Sequence, residues 1–546
     1  MDGETVFVRD DGSSLLEVLR EQLGHRSVKD GCSPQGQCGC CTVWVDGAAR
    51  AACVTPARRV AGRQVTTLEG LTPAVRDSWA NAFADTGASQ CGFCTSGIIM
   101  RLAALQTRRP ALDEASVRKA LLAHLCRCTG WNPILEAARL VSDDRPPAGS
   151  TSPEQPRGRR DLDAARTRAA LEGGRAQKVG PATALGEGGF ADDSAPAGAL
   201  VALPDPRGRF VVAESLSEAR SKAHKVQGRN TTVALRHPLQ VAPGNWALRL
   251  RTTFVEPAYL EPDASWCLPG GEPASPLANG GAFGGKEASP VTGAALSLSQ
   301  AHGRPVRALF AREDVVRLGP KRPPIAAGLR EDGSGVVRVA RTPGSPDLSG
   351  WAEAVRSVLS RVEVEVLDVR GPPVSADQRG AGWAEATVLA AALDALRRGR
   401  LGTGHPVTVV SPAKARAIAC IDAAGCVRVR LSAGDPLDEV VLRSYAVGAV
   451  HQALGWVRSE GVAVSEAGEV LDLTVRSFGI ITAQAMPPVE VEIERTEGLR
   501  TGSSPPVRGS DAVFAAVAAA AWIAGGLQPE WPLERGRGGS TEGDGT

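Results

Sequence analysis

Nine of the twelve cysteines in this 546-residue chain fall within its first 128 residues: Cys32, Cys38, Cys40, Cys41, Cys53, Cys91, Cys94, Cys126 and Cys128. The opening MDGETVFVRDDGSS has neither an apolar stretch nor twin arginines, so no secretory leader is expected and the chain reads as cytoplasmic. In a reducing compartment thiols crowded like this point to metal, because disulfides would not persist there. Cys32, Cys38, Cys41 and Cys53 are spaced C-x5-C-x2-C-x11-C. Three thiolates on one tight loop and a fourth from a neighbouring strand is how a plant-type [2Fe–2S] cluster is held. Gly36 and Gly39 let that loop curl and turn amides toward cluster sulfurs. A zinc knot is the alternative, though a Cys-Gly-Cys-Cys string holds more thiols than a closed tetrahedral site uses. Cys40 either replaces Cys41 as ligand or sits beside the cluster. Cys91, Cys94, Cys126 and Cys128 form a second set, C-x2-C-x31-C-x-C, on predicted helix ends; spacing alone leaves iron–sulfur and zinc level there.

The elements that position these thiols follow from periodicity. Residues 1–66 read as a small β-rich unit, with a helical stripe at Leu15, Leu16, Val18 and Leu19 and a strand Thr42-Val43-Trp44-Val45 entering an Asp46-Gly47 turn. Residues 67–142 change to helical periodicity, and residues 143–180, rich in Pro, Arg, Asp, Ser and Gly, read as a linker around one helix. Beyond lie a unit at 181–236 and a larger one at 237–534, mixing Val-rich strands with Ala-rich helices, then a Gly/Ser-rich tail at 535–546 expected to be disordered. A net charge of +2, from 62 basic and 60 acidic residues, argues against nucleic-acid or membrane-surface partners. The longest apolar run, Ala512 to Ala524, is shorter than the roughly 20 residues that span a bilayer and reads as a buried helix.

QCGFCTSG at Gln90–Gly97 with CRCTGW at Cys126–Trp131 resembles the second [2Fe–2S] motif of the xanthine dehydrogenase and aldehyde oxidase family, the molybdenum hydroxylases. GQCGCCTVWVDG and the later TTLEGL resemble that family's ferredoxin-like domain. The match spans nearly all of residues 1–140 and, through its eight cysteines, makes zinc a poor fit for either set. Two departures stand out: an extra residue between Cys32 and Cys38, and Ser96 where the family usually has Pro.

The resemblance implies an α+β multidomain chain: a β-grasp ferredoxin-like domain, an all-α four-helix [2Fe–2S] domain, then a condensed α/β hammerhead and a shortened molybdopterin-binding-like α+β domain. FADD with the nearby Pro196 and Gly198 resembles the start of the hammerhead, and TFVEPAYLEP at Thr253–Pro262 the lead into the molybdenum domain. GGAFGGK at Gly280–Lys286 and SADQRGAGWAE at Ser375–Glu385 resemble two cofactor loops, implying molybdopterin contacts from Gly281, Phe283, Gly284 and Arg379. Taken alone, GGAFGGK is near a P-loop, but Glu287 stands where Ser or Thr would ligate Mg²⁺. The family's base, a glutamate before an apolar helix, falls at Ser510; Asp511, one residue late, is the candidate substitute. Tyr445 stands in place of a glutamine beside the metal. The implied cofactors are two [2Fe–2S] clusters and molybdopterin. No flavin domain separates the two halves, so the implied electron acceptor is a separate flavoprotein or other protein; a homo-oligomer is also compatible. The implied activity is hydroxylation of aldehydes or N-heterocycles such as purines. The alternative is a non-catalytic electron-transfer or interaction subunit whose molybdenum domain has lost its active site.

Overall fold

A computed structural model describes residues 1–32, 35–142, 160–225, 233–277, 283–494 and 504–534. The expectations for residues 143–159, Gly281 and the 535–546 tail lie outside these.

The Asp46-Gly47 pair adopts positive φ at both residues (50° and 72°), the backbone twist a two-residue hairpin needs. It joins Thr42–Val45 to Ala48–Ala51, and Val65–Thr66 pairs antiparallel on the other side of the first strand. The short helical stretch Leu15–Gln22 shares the core with this sheet. It is started by a reciprocal cap in which Glu17 N–H donates to Ser14 Oγ and Ser14 N–H donates to Glu17 Oε2.

Four α-helices follow, Pro73–Thr86, Thr95–Gln106, Glu114–Ala120 and Asn132–Ser142. Trp79, Phe83, Ile98, Ile99, Leu102, Trp131 and Ile134 recur at helical spacing and are all buried. The apolar core they join continues past Phe254 and Trp351 to Trp531, so the thiol-bearing units are packed onto the rest of the chain. Trp131 Nε1–H donates to Ile481 O at 3.0 Å across that junction.

Among the described residues the remainder holds three four-stranded mixed sheets. Phe210–Ala213, Leu200–Pro204, Val306–Leu309 and Ala264–Cys267 form one, which draws strands from both sides of residue 236. Val362–Asp368, Gly335–Arg341, Ile325–Leu329 and Leu248–Arg251 form the second, and Val407–Val410, Arg416–Ile421, Val427–Ser432 and Val489–Ile493 the third. Helix Ser510–Ala524, buried all round, packs between helices Glu439–Arg458 and Trp383–Arg397 and the third sheet. Among the described residues no helix is long and apolar enough to cross a membrane. Within the stretch that reads as linker, Leu162–Gly173 is a helix packed on Glu439–Arg458, with Arg168 and Glu172 wholly buried.

Candidate functional site: two thiol sets and a cavity

The loop carrying Cys32 to Cys41 turns through left-handed conformations at Gly36 and Gly39. A Cβ on Gly39 would lie 2.4 Å from the His124 ring, so only glycine fits there. Cys32 contacts Cys38 and Cys53, and Cys53 contacts Cys41. Cys32 Sγ also accepts amide hydrogen bonds from Gln35 (3.2 Å) and Gln37 (3.5 Å). The neighbouring Cys38 and Cys53 thiols and then these amides hold the Cys32 thiol well below its ordinary range.

In the second set, Cys94 caps helix Thr95–Gln106, and Cys126 and Cys128 lie on the loop before Asn132–Ser142. Cys128 and Cys91 sulfurs are 3.6 Å apart, and Cys94 contacts Cys126. The Cys94 thiol, and after it Thr129, pulls the Cys126 thiol down to about 6 against its burial. Among the described residues no three Cys, His, Asp or Glu side chains gather closely enough for a single metal ion. The first set runs as a chain of contacts, Cys38–Cys32–Cys53–Cys41, and the second as two pairs, Cys91 with Cys128 and Cys94 with Cys126. Four thiolates spread out in this way suit two irons, each taking two, better than one tetrahedral zinc.

The two sets adjoin. Leu125 N–H donates to Cys38 O at 3.0 Å, and a Cβ on Gly97 would fall 2.2 Å from Gly39 O. Ser96, the departure from the family pattern, donates its hydroxyl to Ser27 O at 2.6 Å, a bond that Pro would lack. Cys40 is buried, touches Cys38, and lies close enough to the second set to feel charge on Cys91. Replacing Cys40 by Ala is expected to leave both clusters, read by iron content and EPR; loss of the first would make Cys40, not Cys41, its ligand.

A cavity of about 350 Å³ lies against the second set, with Cys128 and Gln90 in its wall. Gly448, on helix Glu439–Arg458, permits this approach: a Cβ there would lie 1.8 Å from Cys128 O. Phe283, Gly284, Arg379, Tyr445 and Ser510 line the same cavity. Gly284 (φ 88°) has room for no Cβ, which would stand 2.2 Å from Asp377 O and so locks the two cofactor-like loops together. Arg379 adopts φ 43° and lays its guanidinium 3.7 Å over the Phe283 ring. Burial first, then Arg127 and Arg508, pushes the Arg379 guanidinium well below its usual range, and its buried Nε has no partner among the described residues. An unsatisfied buried donor, with Arg175, Lys286 and Arg508 on the same walls, suits an anionic, phosphate-bearing group such as molybdopterin.

Asp511 does not line this cavity; its carboxylate lies 3.4 Å from Arg508 Nε. The carboxylate at the start of helix Ser510–Ala524 is Glu172, which accepts the Gly509 and Ser510 amides at 2.9 Å each and Arg168 Nη1 at 3.2 Å. Glu172 and the wall residue Arg508 are singled out by no motif, and Glu261 stands in the sequence only as part of TFVEPAYLEP; the Arg168/Glu172 i,i+4 pair is the one local signal for Glu172. Arg476, from the C-terminal half, holds the first thiol loop: its Nε–H donates to Gln37 O at 2.9 Å.

Residues 1–63 match the model for a 2Fe-2S iron-sulfur cluster binding domain, and residues 67–139 that for a [2Fe-2S] binding domain. The nicotinate dehydrogenase small FeS subunit of Eubacterium barkeri is 38% identical over 136 residues, 25% of this chain and 86% of that one. The xanthine dehydrogenase iron-sulfur-binding subunit of Escherichia coli O157:H7 is 44% identical over 127 residues, 23% of this chain and 79% of that one. The remainder is matched in fold: the aldehyde oxidoreductase from Desulfovibrio gigas superposes over 95% of this chain and 96% of its own, with a TM-score of 0.63 at 15% identity. With both cluster-binding modules present and the multidomain α+β fold continuing through the shortened C-terminal half, the chain belongs to the xanthine dehydrogenase and aldehyde oxidase family, the molybdenum hydroxylases.

Proposed function

We propose that this chain is an oxidoreductase that holds a molybdopterin in the 350 Å³ cavity and passes electrons one at a time through two [2Fe–2S] clusters to an external acceptor. The observation that carries the reading is the wall formed by Cys128, a ligand of the second cluster and at once a lining residue of the cavity. Cys32, Cys38, Cys41 and Cys53 hold the first cluster in this reading, and Cys91, Cys94, Cys126 and Cys128 the second. Phe283, Gly284 and Arg379 hold the pterin, the Arg379 Nε–H finding in it the acceptor the protein leaves out. A bound molybdopterin supplies a centre that takes two electrons from an electron-poor C–H carbon while oxygen from water enters. The chain's own residues orient the group, with the Phe283 and Tyr445 rings among its walls. Aldehydes and N-heterocycles are the substrate classes, the latter in keeping with relatives named for nicotinate and xanthine. Those relatives are named as subunits, and the acceptor here is likewise a separate flavoprotein or other protein. Twelve thiols free of disulfides support a reducing, cytoplasmic setting in this reading.

One observation favours the alternative of a non-catalytic electron-transfer subunit: Ser510 stands where a base is needed, and its amide is already bonded to Glu172. Anaerobic mixing of molybdenum-loaded protein with aldehydes and N-heterocycles separates the two. Bleaching of the cluster absorbance by a member of either class supports the oxidoreductase. Bleaching by dithionite but by no member of either class overturns it in favour of the electron-transfer subunit.

A further inference from the structure

Glu261 stands in the partition between two cavities. On one side is the 350 Å³ cavity described above; on the other is one of about 40 Å³, lined by Arg20, Asp30, Asp192, Asp193 and Asp263 among others. The smaller space is large enough for water. Glu261 is buried, its Oε2 accepts from Lys286 Nζ at 2.7 Å, and its Oε1 meets no donor among the described residues. Lys286 is held in turn by Pro276 O at 3.3 Å and lies over the Tyr259 ring. Arg312, wholly buried, donates to Leu260 O at 2.7 Å and Tyr259 O at 2.9 Å, fixing the backbone before Glu261.

The charges that face Glu261 from the smaller cavity are nearly all engaged. Arg20 bonds Asp192 and Asp193, Lys29 bonds Asp193, and Arg220 bonds Glu17 and Asp30. Glu21 is held by Arg307, and Asp263 accepts the Tyr259 hydroxyl at 2.7 Å. Across the larger cavity stand Glu172, paired with Arg168, Glu287, paired with Arg175, and Asp377, Arg379 and Arg508. Glu261 is thus a buried carboxyl that bridges two spaces and keeps one oxygen uncommitted.

We propose that Glu261, seated on Lys286, is a proton relay between the two cavities, and this rests on the oxidoreductase reading above. Hydroxylation by water balances as R–H + H₂O → R–OH + 2 H⁺ + 2 e⁻. The C–H bond breaks, a C–O bond forms with oxygen from water, and the electrons pass the Cys128 wall to a one-electron acceptor outside. The protons are left in the larger cavity, beside Glu261 in its wall. Oε1 takes one proton at a time from a cavity water, and the carboxyl releases it to water in the smaller cavity. Burial raises the Glu261 carboxyl to about 7, with Lys286 opposing and Asp193 and Asp263 adding, so both protonation states are populated near neutral pH. A carboxyl with its value raised in this way is protonated below about pH 7 and ionised above it.

The test is Glu261→Gln, which keeps the shape and the acceptor for Lys286 but carries no exchangeable acid proton. Infrared pH titration of the wild-type protein is expected to show a buried carboxylic C=O band lost with a midpoint near pH 7 and missing from E261Q. This readout needs no turnover. In the molybdenum-loaded enzyme, kcat is expected to fall about 100-fold with KM and both cluster EPR signals unchanged, and Glu261→Asp to recover part of the loss. An active wild type whose E261Q variant keeps the same kcat and pH profile overturns the relay and leaves the oxidoreductase standing. A wild type without the titrating band overturns it even if E261Q fails to fold. A loaded wild type that oxidises neither substrate class overturns the oxidoreductase reading, and the relay with it.

Discussion

Replacing Cys94 by Ser is expected to abolish one of two reduced-cluster EPR signals and leave the other. Cys94 is buried, caps helix Thr95–Gln106 and contacts Cys126, so its loss removes one of the two thiolates offered to one iron. The first set keeps its own contacts among Cys32, Cys38, Cys41 and Cys53, none of which uses Cys94. Iron content should fall by half, from four to two per chain, since each of the two modules binds a two-iron cluster. Persistence of both signals at full strength would show that Cys94 is not a ligand. Loss of both would show that the adjoining loops, which meet at Gly39 and Gly97, assemble as one unit.

The second large effect concerns the clamp on the second thiol loop. Arg127, between Cys126 and Cys128, makes a bidentate pair with Glu460 (2.7 Å for Nη2–Oε2) and donates Nε–H to Pro257 O at 2.9 Å. Gln452 Nε2–H donates to Arg127 O at 3.0 Å. The side chains of Arg127 and Glu460 are 5% and 2% exposed, which decides the energetics, because removing one member strands a charge away from water. Arg127→Met is expected to cost about 3–5 kcal/mol in denaturant unfolding of the holoprotein. Adding Glu460→Leu should recover most of that, since an apolar pair replaces the stranded carboxylate. A loss under about 1 kcal/mol, the range of an exposed pair, would contradict the burial of this clamp.

How far the chain could be read before its structure depended on how local each feature is. The thiol sets, the Asp46-Gly47 hairpin and the apolar helix ending at Ala524 were legible because spacing or periodicity within one stretch specifies them. The joining of Leu200–Pro204 to Val306–Leu309 was not, since about a hundred residues separate the paired strands and neither carries a pattern naming its partner. Helix Leu162–Gly173 sits in a polar, charged segment that reads as linker; what buries it is contact with a distant helix. The cofactor-like loops were legible as motifs, and the cavity does gather Phe283, Gly284 and Arg379. The carboxylates were harder. Ser510 lines the cavity at the position read from the apolar helix, while Glu172 reaches the same amides from a segment 337 residues away. Glu261 stood in plain view within TFVEPAYLEP, yet its partner Lys286 and its uncommitted oxygen are properties of packing.

The first loop, held within its own domain by bonds such as Lys29 N–H to Cys40 O, is also braced from the C-terminal half. Gln35 Nε2–H donates to Leu473 O at 2.8 Å and Arg476 grips Gln37 O, so the C-terminal half braces the first loop as Arg127 and Glu460 brace the second. Both cluster sites are therefore built jointly by the N-terminal modules and the shortened C-terminal half, an arrangement suited to fixed distances for electron transfer.

The most direct test of the account is the iron, acid-labile sulfide and molybdenum content per chain of protein made in a molybdenum-replete host. The account predicts four irons, four sulfides and one molybdenum, from two clusters of two irons each and one occupied cavity. Four irons with no molybdenum would contradict it, leaving a chain that carries electrons for a catalytic partner.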